Sequence, residues 1–147
     1  MANDPVVSRL RLATLRLAQR MRQESGNDAD LTPSRYAVLS QVVASRVVAN
    51  KAARMGDLAR AEHVSKSTIT RIVSRLAEQG FVEMVPDPDD GRSTLVAPTP
   101  AGLQVSKATS AQIDAFLADR LDGLTELERS AIEVAVLAME RLARLDR

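Results

Sequence analysis

The 147-residue chain contains no cysteine, no tryptophan and a single histidine, His63. Without cysteine there can be no disulfide, no thiolate metal site and no thiol-based redox switch. One histidine excludes a multi-histidine metal centre, and no metal or cofactor is expected. Aromatic residues make up only 2% of the chain, namely Tyr36, Phe81 and Phe116. The core must therefore be aliphatic, and functions that depend on stacking platforms, such as single-strand nucleic-acid grooves, lose support. No run approaches the roughly 20 apolar residues of a membrane span, and no apolar stretch at the N-terminus reads as a signal peptide. The expectation is a soluble, cytoplasmic protein with no membrane partner.

Hydrophobic residues (45%) and charged residues (27%) are in ordinary globular balance. The length suits one compact domain, or one folded unit that completes its core by dimerising. The net charge of +1 conceals an uneven distribution. Between Arg46 and Arg75 seven basic residues face only Asp57 and Glu62, a net +5, whereas residues 76–97 hold Glu78, Glu83, Asp87, Asp89 and Asp90. Positive charge concentrated in one internal segment suggests an anionic partner there, although a solvated charged face would look the same.

Turn and cap residues divide the chain. Asp4-Pro5 and Thr32-Pro33 are N-caps followed by proline at the first helical position, where its missing N–H costs nothing. Val6, Leu10, Ala13, Leu17 and Met21 then repeat at helical spacing up to Ser25-Gly26. Tyr36, Leu39, Val42 and Val43 mark a second helix. A basic loop near Asn50 to Arg54 leads to a short helix from Gly56 to Glu62. After the turn at His63-Val64, Ser65 caps a helix with Ile69, Ile72, Val73 and Leu76 at i, i+3, i+4 and i+7, and Gly80 stands where a left-handed C-terminal cap belongs. Phe81 to Val85 and Ser93 to Ala97 are β-prone around the turn cluster Pro86 to Gly91, predicting a hairpin with a tip of about five to seven residues. Thr99-Pro100 opens a long helix carrying Val105, Ile113, Phe116, Leu117 and Leu121. After Gly123, Thr125 and Glu128 form a capping box for a last helix with Leu127, Ala131, Val134, Leu137 and Leu145. The expected order is α-α-α-α-β-β-α-α, a mainly α fold with a small β-hairpin wing.

A short helix, a tight turn, a capped second helix and an adjoining hairpin make a winged helix-turn-helix. With Ile69, Ile72, Val73 and Leu76 turned inward, the opposite face of the second helix presents Ser67, Thr70, Arg71 and Ser74, flanked by Lys66 and Arg75. Small hydroxyls permit close approach to base edges, and a guanidinium can reach two acceptors on guanine. The free amides from Ser65 to Thr68 carry the positive end of the helix dipole and suit a phosphate. Arg75, one turn later, is better placed for phosphate than for bases. The expected partner is double-stranded DNA.

The run from Gly56 to Gly80, the wing Pro86-Asp-Pro-Asp-Asp-Gly-Arg92, the segment Leu95 to Gly102 and the start Leu31-Thr-Pro-Ser-Arg-Tyr36 resemble the multiple-antibiotic-resistance regulator (MarR) family. The resemblance covers nearly the whole chain. It implies a winged-helix homodimer that regulates transcription, in many members released by a small-molecule effector. It assigns Ser67, Thr70 and Arg71 to the major groove, Arg92 to the minor groove and Asp90 to orienting Arg92. It also implies an effector cleft where the dimerisation helices meet the DNA-binding lobe, with Met21 and Tyr36 as candidate lining. The chain departs from the family pattern in three places. His63 replaces a turn glycine, which histidine can do because it tolerates positive φ. Met84 and Val85 replace a basic pair, and Gly91 replaces another basic residue. Arg92 is then the sole wing cation among Asp87, Asp89 and Asp90, and weaker or more salt-sensitive DNA binding is expected.

Residues 1–30 and 99–147 read as dimerisation helices flanking a DNA-binding lobe at 31–98. A monomer would leave the apolar stripes of the terminal helices uncovered, whereas a twofold dimer would pair two recognition helices about one DNA turn, ~34 Å, apart. Catalysis has no support: His63 lies in a helix-turn-helix turn, and there is no glycine-rich phosphate loop or metal spacing. The reading is a DNA-binding transcriptional regulator, with repression as the expected sign. A winged-helix protein-interaction module without specific DNA binding is the competing one.

Overall fold

The computed structural model describes residues 4–25 and 31–144. Gly26, expected to close the first helix, and Leu145, expected on the last, lie outside the described residues. The elements run α1 (Pro5–Glu24), α2 (Pro33–Ala49), β1 (Ala53–Arg54), α3 (Met55–Ala61), α4 (Lys66–Glu78), β2 (Val82–Pro86), β3 (Thr94–Pro98), α5 (Pro100–Asp122) and α6 (Glu126–Arg144).

The caps act as their chemistry requires. Asp4 Oδ1 accepts from the Val6 amide at 2.9 Å, and Thr99 Oγ1 accepts from the Gly102 amide at 3.0 Å. At α6 the box is reciprocal: the Thr125 amide donates to Glu128 Oε2 at 2.9 Å and the Glu128 amide donates to Thr125 Oγ1 at 3.3 Å. These two bonds satisfy donors that a helix start would otherwise leave bare.

One element was not anticipated. The basic loop near Asn50 contains the two-residue strand β1, which pairs antiparallel with β3 through Ala53↔Val96 and Arg54↔Leu95. Two residues carry no periodicity of their own; this strand exists because β3 lies beside it. The sheet order is β1-β3-β2, so β2 is an edge and tolerates Pro86 at its end.

The core is aliphatic. Val38, Leu39 and Val42 of α2 meet Leu58 of α3, Ile69, Val73 and Leu76 of α4, and Val82 and Val96 of the hairpin. Ile72, expected in the buried stripe, is only half-buried at its margin. Helix α5 also departs from expectation. Its buried residues are Gly102, Ser106 and Thr109, while Ile113, Phe116, Leu117 and Leu121 remain half-buried. The buried face of its N-terminal half is thus made of small residues, with Gly102 set against the Phe81 backbone. Neither α1 nor α6 buries a residue: Val6 is 65% exposed, Leu127 81% and Val134 71%. No helix among the described residues is long and apolar enough to cross a membrane.

Candidate nucleic-acid interface

The helix-turn-helix is built by α3, the turn and α4. Helix α3 ends when the Glu62 and His63 amides return to the Leu58 and Arg60 carbonyls at 3.0 and 3.2 Å. His63 then adopts φ +51°, the left-handed conformation that the turn needs. The chain re-enters extended geometry at Ser65 (φ −68°, ψ 158°), whose Oγ accepts from the Thr68 amide at 3.2 Å. Ile69, Val73 and Leu76 anchor α4 in the core, which forces its other face outward.

That outer face carries Lys66, Ser67, Thr70 and Arg71, all exposed, with Thr68 half-buried. The hydroxyls form a local network. Ser65 Oγ lies 3.0 Å from Ser67 Oγ and 2.9 Å from Thr68 Oγ1, and Thr70 Oγ1 donates to the Lys66 carbonyl at 2.7 Å. With its proton committed, Thr70 offers incoming groups its acceptor lone pairs and its methyl. Arg71 has neither an ion pair nor a hydrogen bond among the described residues. Arg75 is engaged, with Nη1 2.9 Å from Glu78 Oε2. Arg71 is thus the more available of the two guanidiniums.

A cleft of about 520 Å³ opens beside α4, lined by Thr32, Arg35, Glu62, Thr68, Arg71 and Arg75 among others. Arg35 joins Arg71 and Arg75 there although sequence reasoning did not single it out. Its one signal was its place just after the Thr32-Pro33 helix start. Met21 and Tyr36 are half-buried and do not line this cleft.

The wing is the loop between β2 and β3. Asp90 Oδ1 accepts from the Arg92 backbone amide at 3.1 Å, so it shapes the turn that carries Arg92. The Arg92 side chain is exposed and makes no ion pair among the described residues. The wing acids also differ from one another: Asp89 and Asp90 are exposed, whereas Asp87 is turned inward and 3% exposed. The arginine is therefore less neutralised than a count of wing charges suggests. No cluster of potential metal ligands occurs among the described residues.

The sequence and the fold resemble those of known proteins. A sequence model described as "MarR family" matches residues 31–94. An uncharacterized HTH-type transcriptional regulator of Mycobacterium bovis, Mb0904, is 35% identical over 131 residues, which cover 88% of this chain and 87% of that protein. Among solved structures, the PcaV transcriptional regulator from Streptomyces coelicolor, in complex with its natural ligand, is 27% identical with a TM-score of 0.63, covering 97% of this chain and 96% of that one. A mutant of S. aureus MepR bound to an oligodeoxyribonucleotide is 16% identical with a TM-score of 0.64, covering 97% of this chain and all of the other.

Proposed function

The chain belongs to the MarR family of transcriptional regulators, and we propose that it acts as a homodimeric repressor that places α4 in the major groove of a pseudo-palindromic operator. It is a regulator and not an enzyme. In this reading Ser67, Thr70 and Arg71 read base edges. Lys66, Arg75 and the amides from Ser65 to Ser67 hold phosphates, the Thr68 amide being taken by the Ser65 hydroxyl. Arg92, on the turn shaped by Asp90, enters the adjacent minor groove. Residues 31–98 form the DNA-binding lobe. The terminal segments 1–30 and 99–147 form the dimer, where the exposed apolar residues of α1 and α6 find cover.

The observation that carries this reading is the guanidinium of Arg71, unpaired among the described residues and held on the solvent face of a helix whose opposite face is locked into the core. A MepR mutant bound to an oligodeoxyribonucleotide supports DNA as the partner, and PcaV in complex with its natural ligand supports a small-molecule site. Such an effector would sit where the terminal helices meet the lobe, near Met21 and Tyr36. It would act by favouring a spacing of the two recognition helices that misfits the operator.

The test is fluorescence anisotropy of the purified protein on duplex DNA from upstream of its own gene, against a shuffled duplex, across a salt series. Preferential binding with a steep salt slope is the expected result. Absence of binding to either duplex at low salt would make a protein-interaction module the better reading.

A further inference from the structure

The wing contains one side chain that does not behave like the rest of its loop. Pro86, Pro88, Asp89, Asp90, Gly91 and Arg92 are all exposed, yet the Asp87 side chain among them is only 2% accessible. Its Oδ1 accepts from the Asp89 amide at 2.9 Å, and its own amide donates to the Ser93 carbonyl at 3.0 Å. Oδ2 is buried and accepts no aligned hydrogen bond; what stands against its charge is Nη2 of Arg54, 3.1 Å away. A carboxylate withdrawn from water is costly unless a counter-charge compensates it. Arg54 supplies that charge from β1, with half of its own side chain still in solvent.

The position of Arg54 gives the pair its meaning. It is the last residue of β1 and the residue that immediately precedes α3, the first helix of the helix-turn-helix. Asp87 is the first residue after β2, at the base of the loop that presents Arg92. The two are joined neither by sequence nor by a shared element, so the ion pair ties the foot of the wing to the start of the helix-turn-helix. We infer that Arg54 and Asp87 are positioning residues, a clamp that fixes the wing arginine relative to Arg71 so that both reach DNA in one docking geometry. The inference rests on the DNA-binding reading above, but its first test does not.

Asp87→Asn is the informative variant, because it keeps an oxygen for the Asp89 amide and deletes only the charge. Arg54→Gln deletes the exposed half of the pair and serves if the buried change impairs folding. Hydrogen exchange in the free protein, without DNA, is measured first. The clamp predicts faster exchange at the Asp89, Arg92 and Ser93 amides with α4 amides unchanged, and unchanged wing exchange in both variants would overturn it. On operator DNA, either variant is expected to bind about tenfold more weakly, in the range of pairwise couplings between contacting residues. In an Arg92→Ala background that loss should vanish, since the clamp acts only through the wing arginine. A merely structural role would produce the same loss in both backgrounds, and that result would also overturn the proposal. Arg92→Ala alone, if it left affinity intact, would sink the wing reading while the exchange data still judged the clamp.

Discussion

Gly102, in the first turn of α5, lies so close to Phe81 that a Cβ added there would stand 1.9 Å from the Phe81 carbonyl oxygen. The same carbonyl accepts from the Thr99 amide at 3.1 Å, and the Thr99 hydroxyl donates to the Gly80 carbonyl. The end of α4, the lead into β2 and the start of α5 are thus joined at one point. Gly102→Ala should cost roughly 3 kcal/mol, because backbone rather than a pliable side chain must move. Urea denaturation checks this, and a midpoint equal to the wild type would show that the α5 entry can shift freely.

Arg71→Ala removes a side chain that the described fold does not use. Operator binding should weaken by about 1–3 kcal/mol and discrimination against one base pair should relax, while the urea midpoint stays put. Anisotropy on an operator and on single-base variants reads both effects. Undiminished affinity would remove Arg71 from the interface.

For the wing, Arg92→Ala should lower the slope of log affinity against log salt by about 1, the loss of one phosphate-proximal cation. Asp87→Asn tests a different quantity, since its carboxylate is buried against Arg54. It should not strengthen binding as the removal of an exposed wing acid would.

The exposed apolar residues of α6 give a prediction about assembly. Val134 is 71% exposed and Leu137 is 64% exposed. Replacing both with aspartate should convert a dimer into a monomer in sedimentation velocity and lower operator affinity through loss of the second half-site. A species of unchanged mass would place the interface elsewhere.

The capping box at α6 carries a pH dependence. The Thr125 amide, and then its hydroxyl, donate to Glu128 and hold its carboxyl below the ordinary glutamate range. A group whose folded pKa is depressed contributes stability that is present above the unfolded value and lost as pH falls through the folded one. Helix content should therefore decline as pH is lowered through and below the ordinary carboxylate range. Glu128→Gln should reduce the α6 share of that decline. Far-UV circular dichroism across an acid titration of both proteins makes the comparison, and superimposable curves would deny the box a role.

The features of the site that could be read in the sequence are those made by near neighbours. Ser65 as N-cap and the inward Ile69, Val73 and Leu76 depend on interactions within a few residues, while the positive φ of His63 was legible through the resemblance, as a histidine in place of a turn glycine. What escaped that reading involves distant partners. Strand β1 is two residues that become a strand only beside β3. Ser106 and Thr109 are buried in place of the apolar residues further along α5, a choice made by which part of α5 the rest of the fold covers. Arg35 enters the cleft of Arg71 and Arg75 only once α2 is laid against α4.

Cap chemistry, apolar spacing and turn residues, acting over one or two helical turns, were enough to set the order of helices, the hairpin and the outward face of α4. Charge could be counted from the sequence but not assigned a role. Asp87, Asp89 and Asp90 are the same residue type in the same loop, yet one is buried against Arg54 and two face water. Arg71 and Arg75 sit one turn apart, yet among the described residues only Arg75 is held by an acid. The tertiary structure decided these matters, because desolvation and ion pairing depend on what the fold brings within a few ångströms. For Asp87 that neighbour arrives through the pairing of β1 with β3.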